Sequence, residues 1–278
     1  MAVRLEDWIG RTESRTDIAA AWPVAALHAT FDRAIPPPAA GDVIPPGWHW
    51  LYFLDTTPES DLGRDGLPKL GGFLPPVPLP RRMWAGGRIE FPGVLRVGEP
   101  LRRDSEVIAV EQKHGKRGSL VFVTVRHTVY ASGALAVAEE HDIVYRDAAK
   151  PDDPPPQPRP APASAKWRRS LIADPVMLFR FSALIFNANR IHYDIDYVKG
   201  EGYPALIVHG PLQTLLLLDL CRENGARVTK LDYRAQHPIF HTERLSVDGN
   251  PAQDGSTVEL WTANEAGSYA MTATAVIS

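Results

Sequence analysis

Residues Phe181 to Leu220 read FSALIFNANRIHYDIDYVKGEGYPALIVHGPLQTLLLLDL. Asn187, Asn189, Arg190, His192, Tyr193, Asp194, Tyr203 and His209 crowd the middle of this stretch, directly before a leucine-rich run. Polar and titratable side chains set beside a strongly apolar helix mark a site. Upstream, Asp174-Pro175 opens a helix, because the carboxylate caps free backbone N–H groups and Pro at the first helical position forfeits no hydrogen bond. That helix carries Val176, Leu178, Phe179, Leu184, Ile185 and Phe186 and ends near Asn187. Asn187 to Lys199 reads as an ordered loop and Gly200 to Pro204 as a second turn. After the short apolar run Ala205 to Val208, a helix follows His209-Gly210-Pro211 and continues to about Arg222, with Gly225 as its stop. Its leucines cover more than one stripe, which predicts a helix wrapped on most sides. It is too short, and too interrupted by Asp219, to span a bilayer.

A chain of 278 residues with 44% hydrophobic content buries a full core as two domains or one fused pair. A formal charge of −3 gives no electrostatic case for nucleic acid or an anionic membrane. Cys221 is the lone cysteine; inside the leucine helix it reads as a small buried hydrophobe, and a reducing cytosol is the plain expectation. MAVRLEDWIGRTESRTD at the start lacks the apolar core of a signal peptide. Residues 8 to 33 predict two helical pieces, or one kinked at Pro23, with Asp17 as a cap. Trp48, Trp50, Tyr52 and Phe53 form an aromatic cluster that fills core or lines a pocket, core being the commoner case. Residues 56–80 hold too much Gly and Pro for regular structure, and so long a loop in a compact domain is functional or mobile.

From Met83 the pattern turns to strands: Gly87 to Phe91, Leu101 to Gln112, Ser119 to Tyr130 and Leu135 to Arg146. Pro151 to Pro162 holds seven prolines in twelve residues and reads as a stiff linker. Beyond the central stretch come Val228 to Ala235, Thr242 to Val247, Thr257 to Ala263 and Ser268 to Ile277, with turns at Gly249-Asn250 and at Glu265-Ala266-Gly267. The halves therefore share an order, a helical or irregular beginning and then an antiparallel meander. PGVLRVGEPL, starting at Pro92, and PIFHTERLSV, starting at Pro238, are distantly alike.

FNANRIHYD (186–194) followed by EGYPALIVHGPL (201–212) resembles the signature of MaoC-like hydratases of the double hotdog fold. The nearest subgroup contains the fungal-type mitochondrial 3-hydroxyacyl-thioester dehydratase and the mesaconyl-C4-CoA or itaconyl-CoA hydratases. WIGRTESRTD resembles the start of the N-terminal half in the same family. The resemblance implies an α+β double hotdog, two antiparallel sheets each wrapped around a central helix and joined edge to edge. It divides the chain into a degenerate first half that shapes the acyl pocket (1–148), a Pro-rich linker (149–165) and a catalytic half (166–278). It implies hydration or dehydration of an α,β-unsaturated acyl-CoA, no cofactor, no metal, a homodimer, and a lid formed by the loop at 56–80.

In the broader family a catalytic Asp stands five residues before a catalytic His. His192 and Asn189 match family positions here, while Asn187 stands where the Asp would be. Asn does not titrate, so it can orient water but cannot be the base. His192 is then the candidate for both proton steps. Asn187 would hold water through its carbonyl oxygen and Asp194 would steer the imidazole. The backbone N–H of Gly210, at the positive end of a helix, is an oxyanion donor. Arg190 reads either as an ion pair with Asp194 or Asp196, or as a ligand for a phosphate or an acyl carboxylate. Tyr193 and Tyr203 read as packing residues at the substrate, His209 as a helix cap near it, and Lys166, Arg168 and Arg169 as a solvated face or a CoA phosphate contact. His192 and Asp194 lack a third metal ligand, and neither a GxSxG elbow nor a phosphate or NAD glycine loop occurs. A thioesterase and an inactive acyl-CoA-binding protein are the competing functions.

Overall fold

The computed structural model describes residues 4–115, 118–148 and 158–278, so 149–157 of the Pro-rich linker lie outside the described residues. The first half begins with β1 (Thr12–Ile18), α1 (Ala21–Thr30) and a minor pair, β2 (Val43–Ile44) with β4 (Leu95–Arg96). It is completed by β3 (Arg81–Glu90), β5 (Pro100–Gly115), β6 (Gly118–Ala131) and β7 (Ala134–Arg146). The second half repeats the plan with β8 (Trp167–Ile172), α2 (Pro175–Leu184), α3 (Ile195–Gly200), α4 (Gly210–Glu223), β9 (Val228–Ala235), β10 (Arg244–Pro251), β11 (Thr257–Ala263) and β12 (Tyr269–Ile277).

All strands but the minor pair join one antiparallel sheet, in the order β1-β5-β6-β7-β3-β9-β12-β11-β10-β8. Read from each outer edge inward, the halves have the same connectivity: first, third, fourth, fifth, then second main strand. PGVLRVGEPL leads into β5 and PIFHTERLSV into β10, equivalent strands, so the faint internal likeness marks a true repeat. β3 and β9 close the seam, with Gly87 opposite Tyr233 and Ile89 opposite Leu231. Each half thereby hides one edge that would otherwise expose unpaired backbone groups.

Several local expectations change. Thr12–Ile18 is a strand rather than a helix, its side chains alternating between exposed and half-buried. Pro23 causes no kink because it falls in the first turn of α1, where its missing N–H is no loss. Asp17 does not cap α1; its carboxylate accepts the Phe53 N–H at 2.7 Å. Gly249-Asn250 lies inside β10, and the reversal comes after Pro251. Trp167–Ile172 is an edge strand with Arg168 paired to Asp248 at 2.6 Å and Arg169 to Glu223 at 3.2 Å, so these two cations are engaged within the protein.

α4 is the centre of the second half. Every residue from Leu212 to Cys221 is buried, Asp219 included, and Gly225 ends the helix at φ 74°. Among the described residues no helix is long and apolar enough to cross a membrane. The Asp219 carboxylate meets Arg222 at 2.6 Å, Arg33 at 2.5 Å and Arg169 at 3.7 Å, tying α4 to the end of α1 and to β8. Asp219→Ala would leave three cations facing each other over a buried gap. The arginines keep some water, so the loss is expected at the low end for a broken buried pair, about 3 kcal/mol. It is read as a lower urea midpoint at an unchanged denaturant slope.

Candidate active site

α2 starts as the sequence asks, with Asp174 accepting the Met177 N–H at 2.8 Å. Its other end delivers the site loop. Phe186 sits at φ 48°, the left-handed position where glycine is usual. The N–H groups of Phe186 and Asn187 bond back to the carbonyls of Ala183 and Ser182, completing the helix stop. The chain then makes a 3-10 turn, Arg190–His192, and the short helix α3, two pieces of helix where the sequence suggests only loop.

His192 is buried in the turn so formed. Its Nδ1 lies 2.7 Å from the Ile207 carbonyl, while the Ile207 N–H bonds to the Ile191 carbonyl at 3.0 Å. A carbonyl only accepts, so Nδ1 carries the proton and Nε2 presents a bare lone pair. Among the described residues nothing bonds to Nε2. Burial pushes the imidazole down to about 4, with the Ile207 hydrogen bond opposing more weakly.

The His192 ring stacks on His209, centroids 3.6 Å apart. His209 occupies the cap position of α4 but makes no side-chain cap bond. Its Nε2 instead meets Ser182 Oγ of α2 at 2.8 Å, and Phe181 contacts its edge. Complete burial, and to a lesser extent His192 beside it, holds His209 well below the usual histidine range. Two neutral imidazoles thus lie face to face at the start of α4. The first N–H groups of that helix, including Gly210, have no partner inside the helix. Trp84 of β3 presses on Gly210: a Cβ added there would stand 2.6 Å from its ring.

Asp194 does not reach His192. Its carboxylate caps α3 by accepting the Tyr197 N–H at 3.0 Å and pairs with Arg190 at 2.7 Å. The expected steering of the imidazole therefore falls to the Ile207 carbonyl, because two residues of 3-10 turn send Asp194 the other way. Asp194→Ala is expected to cost about 1 kcal/mol of stability through the lost cap, with kcat reduced less than about tenfold. A fall in kcat beyond that, with a moved pH profile, would return Asp194 to the chemistry.

Asn187 Oδ1 accepts the Asn189 N–H at 3.0 Å, which fixes the amide and leaves Nδ2 and one Oδ1 lone pair for a ligand. Asn189 caps the 3-10 turn. Arg190 forms the ion pair, not a free anion site: it holds Asp194, donates to the Arg64 carbonyl at 3.2 Å and stacks on Tyr197. Tyr193 is half-exposed and donates to the Ala188 carbonyl, and Tyr203 packs near Phe240 beneath Arg81. The 56–80 loop folds over this turn. Asp65 accepts the Arg190 N–H at 2.9 Å, and Gly66, at φ 82°, approaches so closely that a Cβ would stand 2.0 Å from the Ala188 oxygen.

Two contributors escaped the sequence. Ser182 sits mid-helix with no motif around it. Trp84 comes from the first half, and its only sign is the following Gly86-Gly87, where added Cβ atoms would strike β7 and β9.

A family model described as hydroxyacyl-thioester dehydratase type 2 matches residues 47–241. The chain belongs to the hydroxyacyl-thioester dehydratase type 2 family. It is 44% identical over 270 residues to the mesaconyl-C(4)-CoA hydratase of Chloroflexus aurantiacus, covering 96% of this chain and 95% of that protein. In structure it is similar to a MaoC-like dehydratase from Phytophthora capsici (TM-score 0.70, 13% identity, 99% and 98% of the chains covered). A Mycobacterium tuberculosis protein described as a double hotdog also matches (TM-score 0.59, 13% identity, 97% and 96% covered). The fold is therefore the double hotdog, its two sheets being halves of one continuous sheet. Membership in this dehydratase family makes the chain a hydro-lyase.

Proposed function

We propose that this chain catalyses the reversible hydration of an α,β-unsaturated acyl-CoA with a short, branched or dicarboxylic acyl group, such as mesaconyl or itaconyl. The observation that carries the chemistry is the His192 tautomer: Nδ1–H tied to Ile207, Nε2 bare. Nε2 takes a proton from water as its oxygen bonds to Cβ. The Cα=Cβ π electrons move toward the thioester oxygen, where the Gly210 N–H and the positive end of α4 hold the developing charge. The imidazolium then returns its proton to Cα, and the water has been added across the double bond with His192 restored. Asn187 assists through its Nδ2 donor or remaining lone pair. No cofactor enters these steps. The 44% identity to a mesaconyl-C(4)-CoA hydratase supports the acyl choice. A homodimer belongs to the same reading: Trp22 of α1 and Val176 and Phe179 of α2 are 71, 63 and 66% exposed, and apolar surface of that kind favours association.

The test is loss of enoyl-thioester absorbance with crotonyl-, mesaconyl- and itaconyl-CoA, following free thiol in parallel. Absorbance loss without thiol supports hydration; thiol release would mean a thioesterase, and binding without turnover an inactive acyl-CoA-binding protein. The pH profile gives a sharper check. A histidine held near 4 stays neutral, and so a base, from neutral pH down to about 4. The acid limb of kcat/KM, which reports the free enzyme, is therefore expected near pH 4 and not near the ordinary ~6.5. Stability follows the same sign: the unfolded chain binds this proton first, so stability falls as pH drops from about 6.5 toward 4.

A further inference from the structure

Two paired strands of the first half, β6 and β7, carry a second, partly buried polar group that the proposed chemistry does not use. His127 of β6 and Glu139 of β7 stand directly opposite in register, and His141 is two residues along on the same face. One ligand atom from each lies within 4.8 Å of the others. The side chain of Glu139 is 2% exposed, and ring nitrogens of His49 and His141 lie within 3.2 Å of its Oε2. The other buried carboxylates among the described residues, Asp219 and Asp248, are each paired with arginine. Glu139 has no Arg or Lys ion pair among the described residues. Its Oε2 meets only His49 Nε2 at 3.0 Å and Trp50 Nε1 at 2.9 Å, with His141 Nε2 at 3.2 Å but without hydrogen-bond geometry.

Glu139 thus stands buried beside imidazoles and an indole with no guanidinium or ammonium partner among the described residues, and a buried carboxylate calls for a paired cation or a metal. The surroundings orient the would-be ligands. Ser105 Oγ holds His127 Nδ1 at 2.8 Å, which leaves Nε2 as the nitrogen for a ligand, while His49 and Trp50 brace Glu139; such outer contacts are what metal ligands require. His141 Nε2 is buried without a partner. We propose that His127, Glu139 and His141 form a binding site for one divalent cation of the zinc class. Two imidazoles and a carboxylate suit a borderline ion, with the fourth position left to water. Tetrahedral coordination wants donors about 3.5 Å apart, a distance that small side-chain turns reach from the present spread.

The experiment uses the full chain without a histidine tag. Zn2+ is titrated against a chelating dye, Co2+ is followed by its visible absorption, and the double variant His127→Asn/His141→Asn is run beside the wild type. The expected result is one equivalent per chain with a Co2+ spectrum of low coordination number. Outer-ligand losses alone cost 10–100-fold in affinity, so the double variant is expected to bind more than about 100-fold more weakly. Binding below a tenth of an equivalent, equal binding in the variant, or an octahedral Co2+ spectrum overturns the proposal. Should the variant fail to fold, the wild-type stoichiometry and Co2+ spectrum decide alone.

Discussion

His192→Ala is expected to lower kcat for hydration by ~10²–10⁴, the range supplied by a positioned general acid–base. KM should change little, because the imidazole acts on water and on Cα rather than on the CoA moiety. The substitution also strips the Ile207 carbonyl of its partner and opens space beside His209. An unsatisfied buried acceptor costs about 1–3 kcal/mol, so rates must be scaled to folded protein. His192→Gln separates the effects: a shape nearer to imidazole with an N–H for Ile207 should recover stability but not rate. The assay is initial velocity at saturating enoyl-CoA with circular dichroism on the same samples. Near-wild-type turnover in either variant would remove His192 from the chemistry and leave the neutral pair as a packing device.

The second large effect is expected at a residue with no side chain. Gly210→Ala puts a methyl group 2.6 Å from the Trp84 ring, closer than carbon atoms approach. Either Trp84 moves, disturbing the seam between the halves, or the first turn of α4 moves and its N–H loses its aim. Removing one oxyanion donor costs ~10²–10³ in kcat. Replacing Trp84 by Leu in the Gly210→Ala background frees that space and is expected to recover most of the lost rate. If Gly210→Ala lowers stability but leaves kcat per folded molecule unchanged, the α4 N-terminus does not hold the developing oxyanion.

The features legible along the chain were local ones. Asp174-Pro175, Pro211 and Gly225 set helix ends through groups that lie within a turn of one another, and each stands where it was expected. Alternating or β-branched runs placed the long strands, and FNANRIHYD with VHGPL marked the loop and helix that make the site. The sequence read less well wherever a residue's partner is distant. Thr12–Ile18 carries no strong strand pattern and is a strand because β5 offers it an edge. His209 has the position of a cap but the surroundings of a packed imidazole, since Ser182 and His192 reach it from other elements. Asp194 is near His192 in sequence yet points away, because the 3-10 turn directs it to Arg190 and α3. Trp84 reaches Gly210 only across the β3–β9 seam, and His127, Glu139 and His141 meet only because β6 and β7 align them. Short-range rules of capping and periodicity act within a few residues, whereas tautomer, burial and charge compensation are set by neighbours that only folding brings together.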